Sequence, residues 1–186
     1  MKRVFLFLSM VLISVNYLFA QVQSIERNDI SFNIFGKNCV LINEIKDYQL
    51  HIFVKNNTGH SIKLNKSIYE LSVCPQGLFY ELQVFEDDKF HSFRTNHPYA
   101  PDVDPFILPN TDVFFELVDS HIFQLNPFVV FHPNKANVFR LRSGYGDEEG
   151  NFRYSGWFYI YVFEKKNDLK QINHLIEVIS KYILTE

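Results

Sequence analysis

The chain has 186 residues, 47% hydrophobic, 17% aromatic and 21% charged, which is too apolar for a disordered chain and sized for one or at most two compact domains. At this length a single core buries about 70% of the surface that the unfolded chain exposes, so folding requires neither disulfides nor metals. A net charge of -3 from 18 basic and 21 acidic residues gives no positive field for phosphates, which disfavours a nucleic-acid partner.

Lys2 and Arg3 precede an apolar run from Val4 to Val15, and Tyr17-Leu18-Phe19-Ala20-Gln21 closes it. This is the layout of a secretory signal peptide over residues 1–20, with cleavage after Ala20. An uncleaved anchor is the competing reading, because residues 4–20 approach the roughly 17-residue minimum for a spanning helix. No second apolar run of spanning length follows, so no integral membrane segment is expected once the leader is removed. Without residues 1–20 the chain keeps 16 basic and 21 acidic residues over 166 positions, a net charge of -5. The expected location is secreted or periplasmic.

Cys39 and Cys74 are the only cysteines. In an oxidising compartment such a pair is expected to be bridged, closing a loop of about 35 residues and stabilising by roughly 3–4 kcal/mol on the chain-entropy model. The alternative is two buried, unpaired thiols. There is no Cys-x-x-Cys and no histidine at ligand spacing from either, so neither a metal nor a redox role is indicated.

From about residue 30 to 164, short runs rich in Val, Ile, Phe and Tyr alternate with Asn, Gly, Pro and Asp clusters, the all-β signature. Residues 48–55 place Leu50, Ile52 and Val54 on one face. Asn56-Asn57-Thr58-Gly59 then leads to Ser61-Ile62-Lys63-Leu64, which predicts a hairpin. Leu78, Tyr80, Leu82 and Val84 share a face before a turn at Asp87-Asp88-Lys89, and Val113–Val118 forms a further strand. Residues 94–110 carry several prolines and read as a long loop. The last hairpin joins Phe139–Ser143 to Trp157–Phe163 across a glycine-rich turn from Gly144 to Gly150. Residues 21–165 thus form one β domain. Residues 166–186 form an amphipathic helix capped by Asn167-Asp168, with Leu169, Ile172, Leu175, Ile176, Ile179 and Ile183 on one face that must pack on the β domain.

In the last hairpin, Phe139, Leu141, Phe158, Ile160 and Val162 alternate into the core, leaving Arg140, Arg142, Trp157, Tyr159, Tyr161 and Phe163 opposite. If open, that face suits stacking on a sugar or anchoring a peptide; if the helix covers it, it is a second small core. Arg140, Arg142, Trp157, Tyr159 and Tyr161 are the candidate binding surface. His91, His97, Asp102 and Asp104 match no zinc spacing, and Asp147-Glu148-Glu149 reads as a solvated turn rather than a calcium loop. Asn56-Asn57-Thr58 and Asn65-Lys66-Ser67 fit the N-glycosylation pattern. Neither a nucleophile elbow, a phosphate loop nor a His-Glu-x-x-His motif occurs, and no catalytic residue or cofactor is assigned.

The run Phe139-Arg140-Leu141-Arg142 with Ser155-Gly156-Trp157-Phe158-Tyr159-Ile160-Tyr161-Val162 resembles the last hairpin of immunoglobulin-like or fibronectin-type sandwiches. Val54-Lys55-Asn56-Asn57-Thr58 and Leu108-Pro109-Asn110-Thr111 are similar to secreted Ig-like modules, including the intracellular proteinase inhibitor type domain. The resemblance spans about residues 48–164 at the level of fold and implies a two-sheet antiparallel sandwich carrying a C-terminal helix. The cysteines do not flank a central Trp and the helix is an addition, so no family residue is carried over. The expected function is a non-enzymatic exported module that binds a protein or glycan. The alternatives are a protease inhibitor using residues 94–110 and a hydrolase with a spatially assembled site.

Overall fold

The computed structural model describes residues 29–64, 77–92, 106–124, 130–147, 149–165 and 168–184. The leader, Cys74, Asn65, His97, Asp102, Asp104 and most of the 94–110 segment lie outside them. The first sheet is built from β1 (Ile30–Gly36), β3 (Gln49–Asn56) and β8 (Val113–Asp119), in that order and antiparallel throughout. The second runs β2 (Cys39–Leu41), β11 (Phe158–Phe163), β9 (Asn137–Gly146), β5 (Gly77–Glu86) and β6 (Lys89–Ser92), with β10 (Phe152–Tyr154) on the far half of β9. Its neighbours are antiparallel except β2, which runs parallel to β11. β4 (Ile62–Leu64) and β7 (Phe106–Leu108) form a two-stranded antiparallel sheet. The protein is therefore mostly β-sheet with a C-terminal helix.

Period-two patterning explains the core. Leu50, Ile52 and Val54 of β3 are fully buried, and with Phe32 and Ile34 of β1 they meet Leu78, Phe139, Leu141, Phe158 and Ile160 of the second sheet in one apolar cluster. Leu64 and Leu108 bring the small sheet into the same cluster.

Three local expectations are corrected. β3 and β4 do not form a hairpin, because both edges of β3 are taken by β1 and β8. Asn56 diverts the chain instead: its buried amide donates to the carbonyls of His60 (2.8 Å) and Leu108 (3.0 Å), while its Oδ1 accepts from Thr58 N (3.0 Å) and Oγ1 (2.7 Å). An asparagine so enclosed is not an accessible glycan acceptor. The 94–110 segment is not loop throughout, since Phe106–Leu108 pairs with β4. The final turn is shorter than the glycines suggest: β9 continues to Gly146 and pairs with β10 around residues 147–151. Gly144 is held in the strand by pairing with Phe79 and Tyr154, and the Phe79 ring occupies the space where a Cβ would sit, so the position takes glycine.

The turn at Asp87-Asp88 is as expected, with both residues at positive φ (48° and 62°), the geometry of a tight β5–β6 hairpin. Helix α1 (Leu169–Val178) begins at Asp168, whose Oδ1 accepts from Lys170 N (2.9 Å) and Gln171 N (3.3 Å), and runs into a wider π turn over Ile179–Ile183. The apolar stripe is narrower than its sequence periodicity: Ile172, Leu175 and Ile183 are buried, but Leu169 and Ile176 are exposed. Gln171 takes a buried place on that face, accepting from Glu164 N (2.9 Å) and donating to the Pro133 carbonyl, so it latches the helix to two other segments. Among the described residues no helix is long and apolar enough to cross a membrane.

Candidate functional site

Arg140 and Arg142 flank the core residue Leu141 on β9, directly opposite Gln83 and Glu81 of β5. Arg142 Nε and Nη2 both reach Glu81 Oε2 at 2.6 Å, and Glu81 Oε1 accepts from Gln83 Nε2 (2.7 Å) and Ser92 Oγ (3.1 Å). Gln83 Oε1 in turn accepts from Arg140 Nε at 2.7 Å. Rings fill the faces of both guanidiniums. Arg142 lies 4.1 Å from the Tyr154 centroid and 4.5 Å from that of Trp157, and Arg140 lies 4.2 Å from Trp157 and 4.0 Å from Phe90. The result is a continuous stack, Tyr154-Arg142-Trp157-Arg140-Phe90, in which each contact contributes about 0.5–2 kcal/mol according to its desolvation.

Tyr159 and Tyr161 lie deeper. They are buried with Val138 against Leu175, Val178 and Ile183 of the C-terminal segment, with Trp157, Phe163, Phe85 and Phe90 half-buried around them. Burial, foremost, raises the Tyr161 phenol far above its ordinary value. Of the five residues proposed from sequence as a binding surface, Tyr159 and Tyr161 are buried with the C-terminal segment, and Arg140, Arg142 and Trp157 form a half-buried stack.

The exposed rings are elsewhere. The outer face of the first sheet carries three cross-strand rows: Phe35-His51-Leu117, Asn33-Phe53-Phe115 and Ser31-Lys55-Val113. Phe35 is 51% exposed, Phe115 50%, Val113 53% and Leu117 45%. Phe53 joins the rows, with its ring centroid 5.1 Å from Phe115 and 5.6 Å from Phe35, and His51 stacks on Phe115 at 5.6 Å. The sequence signal for this face is β8 itself, where Val113, Phe115 and Leu117 are apolar although Phe114 and Val118 already supply the inward side. A half-buried strand ordinarily alternates apolar with polar, and this one does not.

Cys39 is a free thiol on edge strand β2, beside Tyr161 in the register, and burial pushes its pKa up. Its predicted partner Cys74 lies outside the described residues. His91 Nε2 is 3.2 Å from the Glu86 carbonyl, and among the described residues no three His, Cys, Asp or Glu side chains gather as a metal site. Asp147 closes its own turn: Oδ1 accepts from Glu149 N (3.0 Å) and Asn151 N (2.8 Å), and Oδ2 from Asn151 Nδ2 (3.0 Å) and Arg153 Nη1 (2.8 Å). The Asn151 side chain, its backbone and Arg153 hold the carboxyl at about 2. No family model, curated protein or solved structure matches this chain.

Proposed function

We propose that this protein is an exported, non-enzymatic interaction module with an Ig-like sandwich architecture, and that it docks a partner protein on the outer face of the β1-β3-β8 sheet. The observation that carries the reading is the exposed cluster of Phe35, Phe115, Val113 and Leu117 around Phe53. Contiguous apolar surface of this kind, rimmed here by Asn33, Lys55 and Gln49, marks a protein contact more often than solvent. Phe35, Phe115, Leu117 and Val113 have no polar tip, so the face supplies mainly apolar area, which suits a protein surface better than a glycan.

The sandwich reading is supported by strand order. Taking β1, β3 and β8 as strands A, B and E, and β5, β6, β9 and β11 as C, C′, F and G, the sheets follow the A-B-E and C′-C-F-G orders of Ig-like domains. Export rests on the leader-like residues 1–20. The protease-inhibitor reading depends on residues 94–110, and no observation favours it.

The test is site-specific photo-crosslinking in the native producer. A photoreactive side chain at position 35 or 115 is expected to capture one discrete protein that the same probe at Leu169, on the exposed side of α1, does not. Identical adducts from all three positions, or none from 35 and 115, would count against the reading.

A further inference from the structure

The loop between β3 and β4, the turn between β9 and β10 and the start of β1 enclose a cleft of about 540 Å³, within the size range of small-ligand sites and lined by none of the exposed apolar residues of the sheet face. Arg153 lines it and is held from two sides. Its Nε donates to Asp29 Oδ2 at 2.5 Å, and its Nη1 donates to Asp147 Oδ2 at 2.8 Å and to the Asn151 carbonyl at 3.4 Å. Its Nη2 makes no hydrogen bond among the described residues, although the side chain is only 23% exposed. The His60 imidazole, also on the lining, has no partner among them either.

The electrostatics select the ligand class. Asp29 and Asp147 both pair with Arg153, and with Glu149 and Lys63 the lining carries three acidic and two basic side chains, a net charge of -1. That balance repels a phosphate, and among the described residues no three His, Cys, Asp or Glu side chains gather to hold a metal cation. The cleft offers fixed donors and acceptors at close spacing, which a hydroxyl group matches because it both donates and accepts. Fixing the guanidinium by two carboxylates before any ligand arrives lowers the ordering cost of using its free edge. The walls are set as well: Gly59 and Gly150 hold their loops at positive φ (86° and 82°).

We propose that this cleft is a binding site for a neutral, hydroxyl-rich saccharide, with Arg153 Nη2 and the His60 ring as its hydrogen-bonding groups. The site is independent of the protein-docking face.

Calorimetric titration of the purified protein tests it, using methyl glucoside, methyl galactoside, methyl mannoside and N-acetylglucosamine, with inorganic phosphate and glycine as rival classes. At least one saccharide is expected to bind saturably, and His60→Ala and Arg153→Lys are each expected to weaken it at least tenfold. Phe115→Asp should leave that binding unchanged. If Arg153→Lys does not fold, the exposed His60→Ala still gives the reading. The proposal is overturned if no saccharide binds, if phosphate or glycine binds and no saccharide does, or if the folded variants bind as wild type.

Discussion

Arg142 directs both Nε and Nη2 to one oxygen of Glu81, each at 2.6 Å, while its guanidinium face lies 4.5 Å from the Trp157 ring. Glu81 is buried, so its charge is compensated by this contact and by Gln83 and Ser92. Glu81→Ala is expected to cost about 1–3 kcal/mol in urea unfolding, less than for a fully buried pair because Arg142 keeps some access to water. The double variant Glu81→Ala/Arg142→Ala should lose less than the sum of the two single variants. Additive losses would show that the contact does not couple them.

The helix is tied down by few residues. Leu175→Ala removes a buried side chain packed on Tyr159 and Tyr161 and should destabilise by about 2–5 kcal/mol. Ile176→Ala, one position on and exposed, should change stability by no more than about 0.5 kcal/mol. Equal effects in denaturant titrations would mean that the helix presents a different face to the sheet.

Two pH steps are expected in thermal unfolding. Burial, then Lys135, lowers His174 from its ordinary 6.5 in the folded state. A lowered histidine disfavours the protonated native form, so its contribution is complete above pH 6.5 and is lost as pH falls below it. Asp147, held at about 2 against an ordinary 3.8, contributes fully above about pH 4 and loses that contribution as pH falls toward 2. His174→Gln should remove the upper step, and Asp147→Asn should reduce the lower, to which Asp29, its carboxyl also lowered in the folded state, contributes. A wild-type profile flat across both windows would contradict the assignment.

Much of this fold is legible in local pattern. The alternation of Phe139-Arg140-Leu141-Arg142 with Phe158–Val162 places each side chain on the face that the structure gives it, because a register set by a buried core leaves no freedom to slip. The Asp168 cap follows from local hydrogen bonding in the same way. What is not legible depends on which strand is already paired. Residues 62–64 alternate as a hairpin partner of β3 should, yet pair with β7, since β1 and β8 take both edges of β3. The candidate site divides along the same line. Rings at 159 and 161 look available until α1 is placed over them, whereas those at 35, 53 and 115 come together only through the register of three strands distant in sequence.

The central claim is that the β1-β3-β8 face docks a protein. Its most direct measurement is the affinity of the partner captured at positions 35 and 115 for wild type and for Phe115→Asp, with melting temperatures recorded alongside. The account predicts at least a tenfold loss of affinity with little change in melting, because Phe115 is half exposed and lies outside both apolar clusters. Equal affinities for the two proteins would contradict it.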